Sequence, residues 1–330
     1  LEKNLDLNGT LIHLDLFLKP EASTLQEITI TAGAFEAGDE KKAVVLNSID
    51  IATTAGANAD ITTALTTLPG VQRVGESGQL FVRGGAAYET RTFIDGMYVH
   101  NPYNSSTASV AARGRFSPFL FKGTTFSTGA YSAEYGQALS SALLLNTQDV
   151  AEETITGLSL MSVGASLSHT QAWEKTSLAA SFDYLNLGPT LAILPTNMEF
   201  NQPFSGKTGQ LIFRHKTSKT GIIKAFANIS QNSFGLFMPG FSDVRKQQLL
   251  SLKNNHLFTQ LSYREILNNK WSLFMGGGFT KNYDKIQSGF RLQEEENAAQ
   301  GKVRLSYHLS DHVVIKFGGE WINSLWEESF

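Results

Sequence analysis

What most constrains this chain is a two-residue alternation that fills its C-terminal half without ever building a long apolar run. Val303, Leu305, Tyr307 and Leu309 alternate with Lys302, Arg304, Ser306 and His308. Val313, Ile315, Phe317 and Trp321 alternate with Lys316, Gly318 and Glu320. Leu257, Leu261 and Tyr263 oppose His256, Gln260, Ser262 and Arg264, while Ile223, Ala225, Ala227 and Ile229 oppose Lys224, Asn228 and Ser230. A period of two sends successive side chains to opposite faces of a strand, so each strand has one apolar and one polar face. No stretch of about 18 apolar residues occurs, which excludes a membrane-spanning helix. It does not exclude a β-barrel, whose strands alternate lipid-facing and lumen-facing residues.

A soluble sandwich would alternate in the same way, and connection lengths separate the two. Residues 218–219, 267–270 and 310–311 read as tight turns, whereas 187–206, 231–255 and 284–298 read as long loops. Outer-membrane barrels alternate short periplasmic turns with long outer loops, and a sandwich has no reason to. Antiparallel transmembrane β-barrel strands are therefore expected over 151–330, about nine of them and roughly ten residues each.

Residues 43–150 have another texture. Short strands at 44–46, 79–83, 92–94, 124–127 and 142–146 are punctuated by Gly, Pro and Asn. One helix is expected at 58–67, with Asp60 in its first turn, Ile61, Ala64, Leu65 and Leu68 at helical spacing, and Pro69-Gly70 as its stop. This is an α+β unit. Ahead of it, 1–20 ends in an alternating run and reads as the end of a truncated N-terminal β domain. In 21–42 the β-branched segment Glu27, Ile28, Thr29, Ile30, Thr31, Ala32 sits in a polar linker.

Lys plus Arg number 27 and Asp plus Glu 30, a net charge of −3, so no nucleic-acid partner is expected. Without cysteine there is no disulfide and no thiolate metal site. His13, His100, His169, His215, His256, His308 and His312 lack paired metal-ligand spacing. No nucleophile constellation or phosphate loop occurs, and Gly276-Gly277-Gly278 lies within a strand pattern. No catalytic residue, metal or cofactor is expected, and the chain is not read as an enzyme.

Four motifs in order carry a resemblance. Leu65-Thr66-Thr67-Leu68-Pro69-Gly70-Val71 ends the helix, and Phe81-Val82-Arg83-Gly84-Gly85 is a strand and sharp turn. Phe93-Ile94-Asp95-Gly96-Met97-Tyr98-Val99 reads as a hairpin on Asp95-Gly96. Ala133-Glu134-Tyr135-Gly136 then leads to the run from Ser140 to Thr147. Together they resemble the plug domain of TonB-dependent outer-membrane receptors, although Ser140-Ser141 stand where the closing motif commonly has glycines. The resemblance implies a bacterial outer-membrane location and a plug followed by a barrel of about 22 strands. On that count the barrel here is incomplete: roughly a dozen strands are expected beyond Phe330, with a signal peptide and small domain before Leu1. The 330 residues alone are not expected to form a stable barrel.

The resemblance also implies function and partners. Residues 27–32 resemble a TonB box, which pairs as an added strand with a TonB-type energy-coupling protein. The ligand would be a small molecule such as a metal chelate, with siderophore-iron import first. An alternative is a SusC-like glycan or peptide importer with a surface lipoprotein partner; a soluble β-rich binding or adhesion protein comes last. Outer-membrane lipids are the other partner. Tyr88, Tyr98, His100, Asn101, Tyr103 and Asn104 are expected at the plug apex, with Arg113 and Arg115 adding positive charge for an anionic chelate. Arg83 and Glu134 are expected to latch the plug to the barrel wall. Pro69, Gly70, Gly84, Gly85, Asp95, Gly96, Tyr135 and Gly136 are expected to shape the plug. With the first barrel strand running outward, 154–173 must hold two strands that reverse near Gly164.

Overall fold

The computed structural model describes residues 43–330 apart from 74, 76, 106–111, 195, 240–246, 269 and 311–312. The expected β remnant at 1–20 and the segment 27–32 lie outside the described residues.

β1 (Ala43–Leu46) leads into α1 (Ser48–Thr53), a helix the hydrophobic pattern does not announce. Asn47 starts it. Its side chain accepts from Asp50 N at 2.8 Å, and the Asp50 carboxylate accepts from Asn47 N at 2.9 Å, a reciprocal capping box. α2 (Ile61–Leu65) is shorter than the expected 58–67. Asn58 and Ala59 have φ of 50° and 58°, a left-handed backbone that cannot join a right-handed helix. Asp60 is therefore the N-cap, accepting from Thr63 N at 2.9 Å, and not a first-turn residue. At the other end, Gly70, with φ of 78°, completes the stop.

β2 (Val71–Arg73) and β3 (Leu80–Val82) pair as a small antiparallel ribbon. β4 (Thr90–Ile94), β5 (Met97–Tyr98), β6 (Phe121–Ser127) and β7 (Ser141–Thr147) join β1 in a sheet ordered β1-β6-β7-β4-β5, with β4 and β7 parallel. The β4–β5 hairpin turns on Asp95 and Gly96, φ 47° and 87°, because the tightest hairpin needs both central residues left-handed. Ile51, Leu65, Leu80 and Ile94 are fully buried in this unit. Its core continues outward through Phe116 to Phe226 and Phe258 of the following sheet, with ring centroids 5.8–6.0 Å apart.

That sheet holds β8 (Ile155–Met161), β9 (Gly164–Ala172), β10 (Thr176–Asn186), β11 (Glu199–Lys216), β12 (Ile222–Pro239), β13 (Gln247–Ile266), β14 (Trp271–Ser288), β15 (Arg291–Ser310) and β16 (Val313–Ser329). A short helix, α3 (Gly188–Ile193), lies between β10 and β11. The nine strands are antiparallel and follow chain order, with β8 and β16 at the edges. The strand count and the reversal just before Gly164 match the sequence reading.

Strand length does not match. β13 and β15 each run 20 residues, so most of the expected loop at 231–255 is paired strand. Likewise 284–298 is one hairpin turning at Gly289-Phe290. Twenty residues at ~3.3 Å each reach ~66 Å, well beyond an apolar band of ~25 Å. Past that band the outward face has no need to be apolar. Ile223, Ala225, Ala227 and Ile229 of β12 give way to Gln231 and Ser233, and Met275 and Phe279 of β14 to Lys281 and Lys285. The alternation stops there while the strand continues, which makes the upper strands resemble loops.

Within the band the two faces are the inverse of a soluble protein's. Outward Leu211, Leu261, Val303 and Trp321 are 48–59% exposed. Inward Arg214, Lys224, Asn228, Thr280, Gln300 and Lys302 are 1–7% exposed, covered by the plug. A soluble sandwich buries its apolar faces; this sheet presents them outward and buries its polar face. The inverted burial removes the soluble reading.

Candidate functional site at the plug apex

Two zones join the plug to the sheet, one near the short turns and one at the opposite end. Near the turns, the Asp95 carboxylate is 3% exposed. It accepts from Thr147 N at 3.0 Å and from the Thr147 hydroxyl, with Gln260 Nε2 at 3.4 Å and Lys224 Nζ at 3.6 Å. Lys224 also reaches Asp149 at 2.9 Å and the Thr147 carbonyl at 2.8 Å. Arg214 donates to the Gln148 carbonyl at 3.0 Å and to Thr147 Oγ1 at 2.7 Å. Burial alone would raise the Asp95 carboxyl, but Lys224, Arg214 and the Thr147 hydrogen bonds outweigh it and hold it below the ordinary range. The plug carboxylate is thus locked into a cationic notch of the wall.

Beside the lock the hairpin tip fits a gap in β14. A Cβ at Gly276 would meet Met97 Sδ, so a larger residue there would force the Met97 side chain to shift. Gln300 Oε1 accepts from Tyr98 N at 3.1 Å while its amide donates to the Tyr98 carbonyl, extending the β5 hydrogen bonding into the wall. Glu134 pairs with Arg304, and Lys302 donates to the Glu134 carbonyl at 2.9 Å.

At the far end a cavity of about 300 Å³ opens between the plug loops and the polar upper parts of β14 and β15. Tyr88, Tyr98, His100, Asn101, Tyr103, Asn104 and Arg115 line it from the plug, and Asn282, Asp284 and Glu294 from the wall. Arg115 ties the two sides. It donates to the Asn101 carbonyl at 3.0 Å, Asn104 Oδ1 at 3.4 Å, Asn254 Oδ1 at 3.1 Å and Asn282 Oδ1 at 3.2 Å. Burial pulls its guanidinium down to about 10, with Asp284 opposing, so it stays charged at neutral pH. Burial raises the phenols of Tyr98 and Tyr103, leaving them neutral donors.

The structure gathers seven of the eight expected apex residues around one cavity. Arg113 is not among them: it is exposed, and its carbonyl accepts from Asn104 N at 2.8 Å. Arg83 departs from its expected latch role. It has φ of 50°, sits exposed on the turn after β3, and forms no ion pair among the described residues, so only Glu134 of that pair meets the wall. Gly84 has φ of 81°, whereas Gly85 is needed for close approach, since a Cβ there would collide with Ser140. Gly136, with φ of −59°, closes a helical turn whose Tyr135 ring lies 4.8 Å from Phe93. Sequence reasoning missed Asp284, Glu294 and Glu296, which stand in a segment read as loop; period-two polarity across 282–296 was the available signal.

Residues 41–142 match the family model for the TonB-dependent receptor plug domain, a family of transport receptors and not enzymes. No curated protein matches the chain in sequence. Among solved structures it is similar to a mutant of the ferric enterobactin receptor of Pseudomonas aeruginosa in complex with enterobactin (15% identity, TM-score 0.57). That match covers 86% of this chain and 49% of the other. The ferric yersiniabactin uptake receptor of Yersinia pestis gives 11% identity and TM-score 0.59, with 86% and 49% covered. The siderophore receptor PirA of Acinetobacter baumannii gives 13% and 0.57, with 86% and 48% covered. The chain spans about half the length of these receptors. Residues 41–142 therefore match the TonB-dependent receptor plug domain, and the chain is similar in fold to the plug-and-barrel receptors whose structures it matches.

Proposed function

We propose that this chain supplies the plug and part of the barrel of an importer that carries a scarce nutrient, siderophore-bound iron or a similar chelate, across the outer membrane. A TonB-type protein, pairing with 27–32 as an added strand, would supply the force. The apex cavity carries this reading: plug loops and barrel strands wall it jointly, so any displacement of the plug changes its shape. The similar solved structures, receptors for ferric enterobactin and ferric yersiniabactin, support a chelate as the ligand.

The test is ligand affinity and uptake in the full-length receptor. Tyr88→Ala, Tyr103→Ala and Asn104→Ala together should weaken binding of the imported solute by about a hundredfold, since buried aromatic contacts often cost more than 1 kcal/mol each when truncated. Unchanged affinity in the triple variant would place the ligand elsewhere.

A further inference from the structure

We infer that Lys253, Lys285 and Arg291, on the outward face of β13–β15, grip the phosphate of a lipid in the leaflet around the apex end of the sheet. The contact lies on the outer wall, away from the cavity, and does not depend on which solute is imported.

The two-residue period sorts the charges of these strands by face. Asp284 and Glu294 turn inward to the cavity, while Lys253, Lys281 and Lys285 turn outward. Lys253 stands directly opposite Lys285 across β13 and β14. Like charges facing each other across strands destabilise a sheet, so the pair calls for an anion. The wall does not supply one. The outward neighbours of Lys253 are Ser233, Ser251 and Asn255, and those of Lys285 are Tyr283, Gln287 and Gln293, all neutral. Two charges stand diagonal to Lys285. Glu295 is already held by Lys281 at 2.8 Å and by Asn297 at 3.0 Å. Arg291, opposite Gln287, adds a third cation. Asp284 is on the other face, fixed by the Ser105 hydroxyl at 2.6 Å and Asn254 Nδ2 at 2.8 Å. Lys253 and Arg291 are exposed and Lys285 is half-buried, and none of the three forms an ion pair among the described residues.

Height identifies the anion. Leu257 ends the outward apolar stretch of β13 that contains Leu261. Lys253 lies four residues beyond it, ~13 Å along the strand and ~10 Å in height at the usual barrel tilt of ~40°. The headgroup layer beyond the hydrocarbon is ~5–8 Å deep, and a lysine stem can lie back along the apolar surface beneath its ammonium. The three cations therefore stand at the level of lipid phosphates. Directly opposed residues are ~5 Å apart, so one phosphate, with three acceptor oxygens, can bridge both lysines.

The test uses the purified full-length receptor in detergent micelles, with phosphatidic acid and phosphatidylcholine as probes and native mass spectrometry as the readout. Phosphatidic acid should be retained and phosphatidylcholine, whose phosphate is offset by its own cation, should not. Lys253→Gln with Lys285→Gln should weaken retention about tenfold or more. Lys281→Gln with Glu295→Gln, which removes a pair already neutral, should leave it unchanged. Excess inorganic phosphate at constant ionic strength should not displace the lipid. Equal retention of the two lipids, or equal effects of the two double variants, overturns the inference. Displacement by inorganic phosphate also overturns it, since the site would then take a free anion and not a lipid.

Discussion

Asp95→Ala is expected to loosen the plug from the wall by about 3 kcal/mol, the low end of the ~3–5 kcal/mol for breaking a buried ion pair from one side. The loss strands the Thr147 amide, removes the acceptor of the Thr147 hydroxyl proton and leaves Lys224 with Asp149 and the Thr147 carbonyl. Hydrogen exchange in the full-length receptor reads it directly: amides of β4 and β7 should lose roughly a hundredfold in protection, since 1.4 kcal/mol is tenfold. Removing the facing charge as well, in Asp95→Ala with Lys224→Met, should recover part of that loss. A single variant as protected as wild type would show that the cluster adds nothing to docking. The sign with pH follows from the Asp95 carboxyl lying below its ordinary 3.8. Its contribution is fully present above that value and fades as pH falls through the lower folded-state value, so acid below about pH 4 should release the plug.

Ile28→Pro or Ile30→Pro should abolish uptake while sparing ligand binding at the surface. An added strand binds through backbone hydrogen bonds, and proline removes a donor and fixes the backbone where the partner strand must pair. Conservative changes such as Ile28→Val keep both and should import normally. Binding and uptake lost together would mean a folding defect, and normal uptake by both proline variants would move the coupling segment elsewhere in the chain.

Much of this architecture is legible in the sequence because it obeys short-range rules. Asp95-Gly96 demands left-handed backbone, and the alternation around Leu261 and Val303 demands a two-faced sheet. What escapes has a physical cause. α1 is set by the Asn47–Asp50 capping box more than by an apolar stripe, so periodicity overlooks it. α2 is cut short by the left-handed Asn58 and Ala59, which no propensity rule anticipates for alanine. Above the apolar band the strands turn polar on both faces, and Asp284, Glu294 and Glu296 consequently read as loop residues. The plug side of the apex is readable because strand-end loops follow glycine turns. The wall side is not, because its register pairs residues such as Ser105 and Asp284 that lie 179 positions apart. Gly276 shows the same limit: a glycine within a strand is visible, but the Met97 packed against it is not.

The central claim is that one face of β11–β15 meets lipid and the other meets the plug, and spin-label accessibility tests it most directly. These 330 residues hold no cysteine, so single cysteines can be placed among them in the full-length receptor in liposomes once any cysteine elsewhere in that receptor is replaced. Labels at Leu211, Leu261 and Val303 should be open to oxygen and closed to a water-soluble nickel chelate, and labels at Lys207, Gln231 and Lys285 the reverse. Labels at Asn228 and His256 should be shielded from both. Nickel access at Leu261 equal to that at Lys285, or oxygen access at Asn228 equal to that at Leu261, would contradict the account.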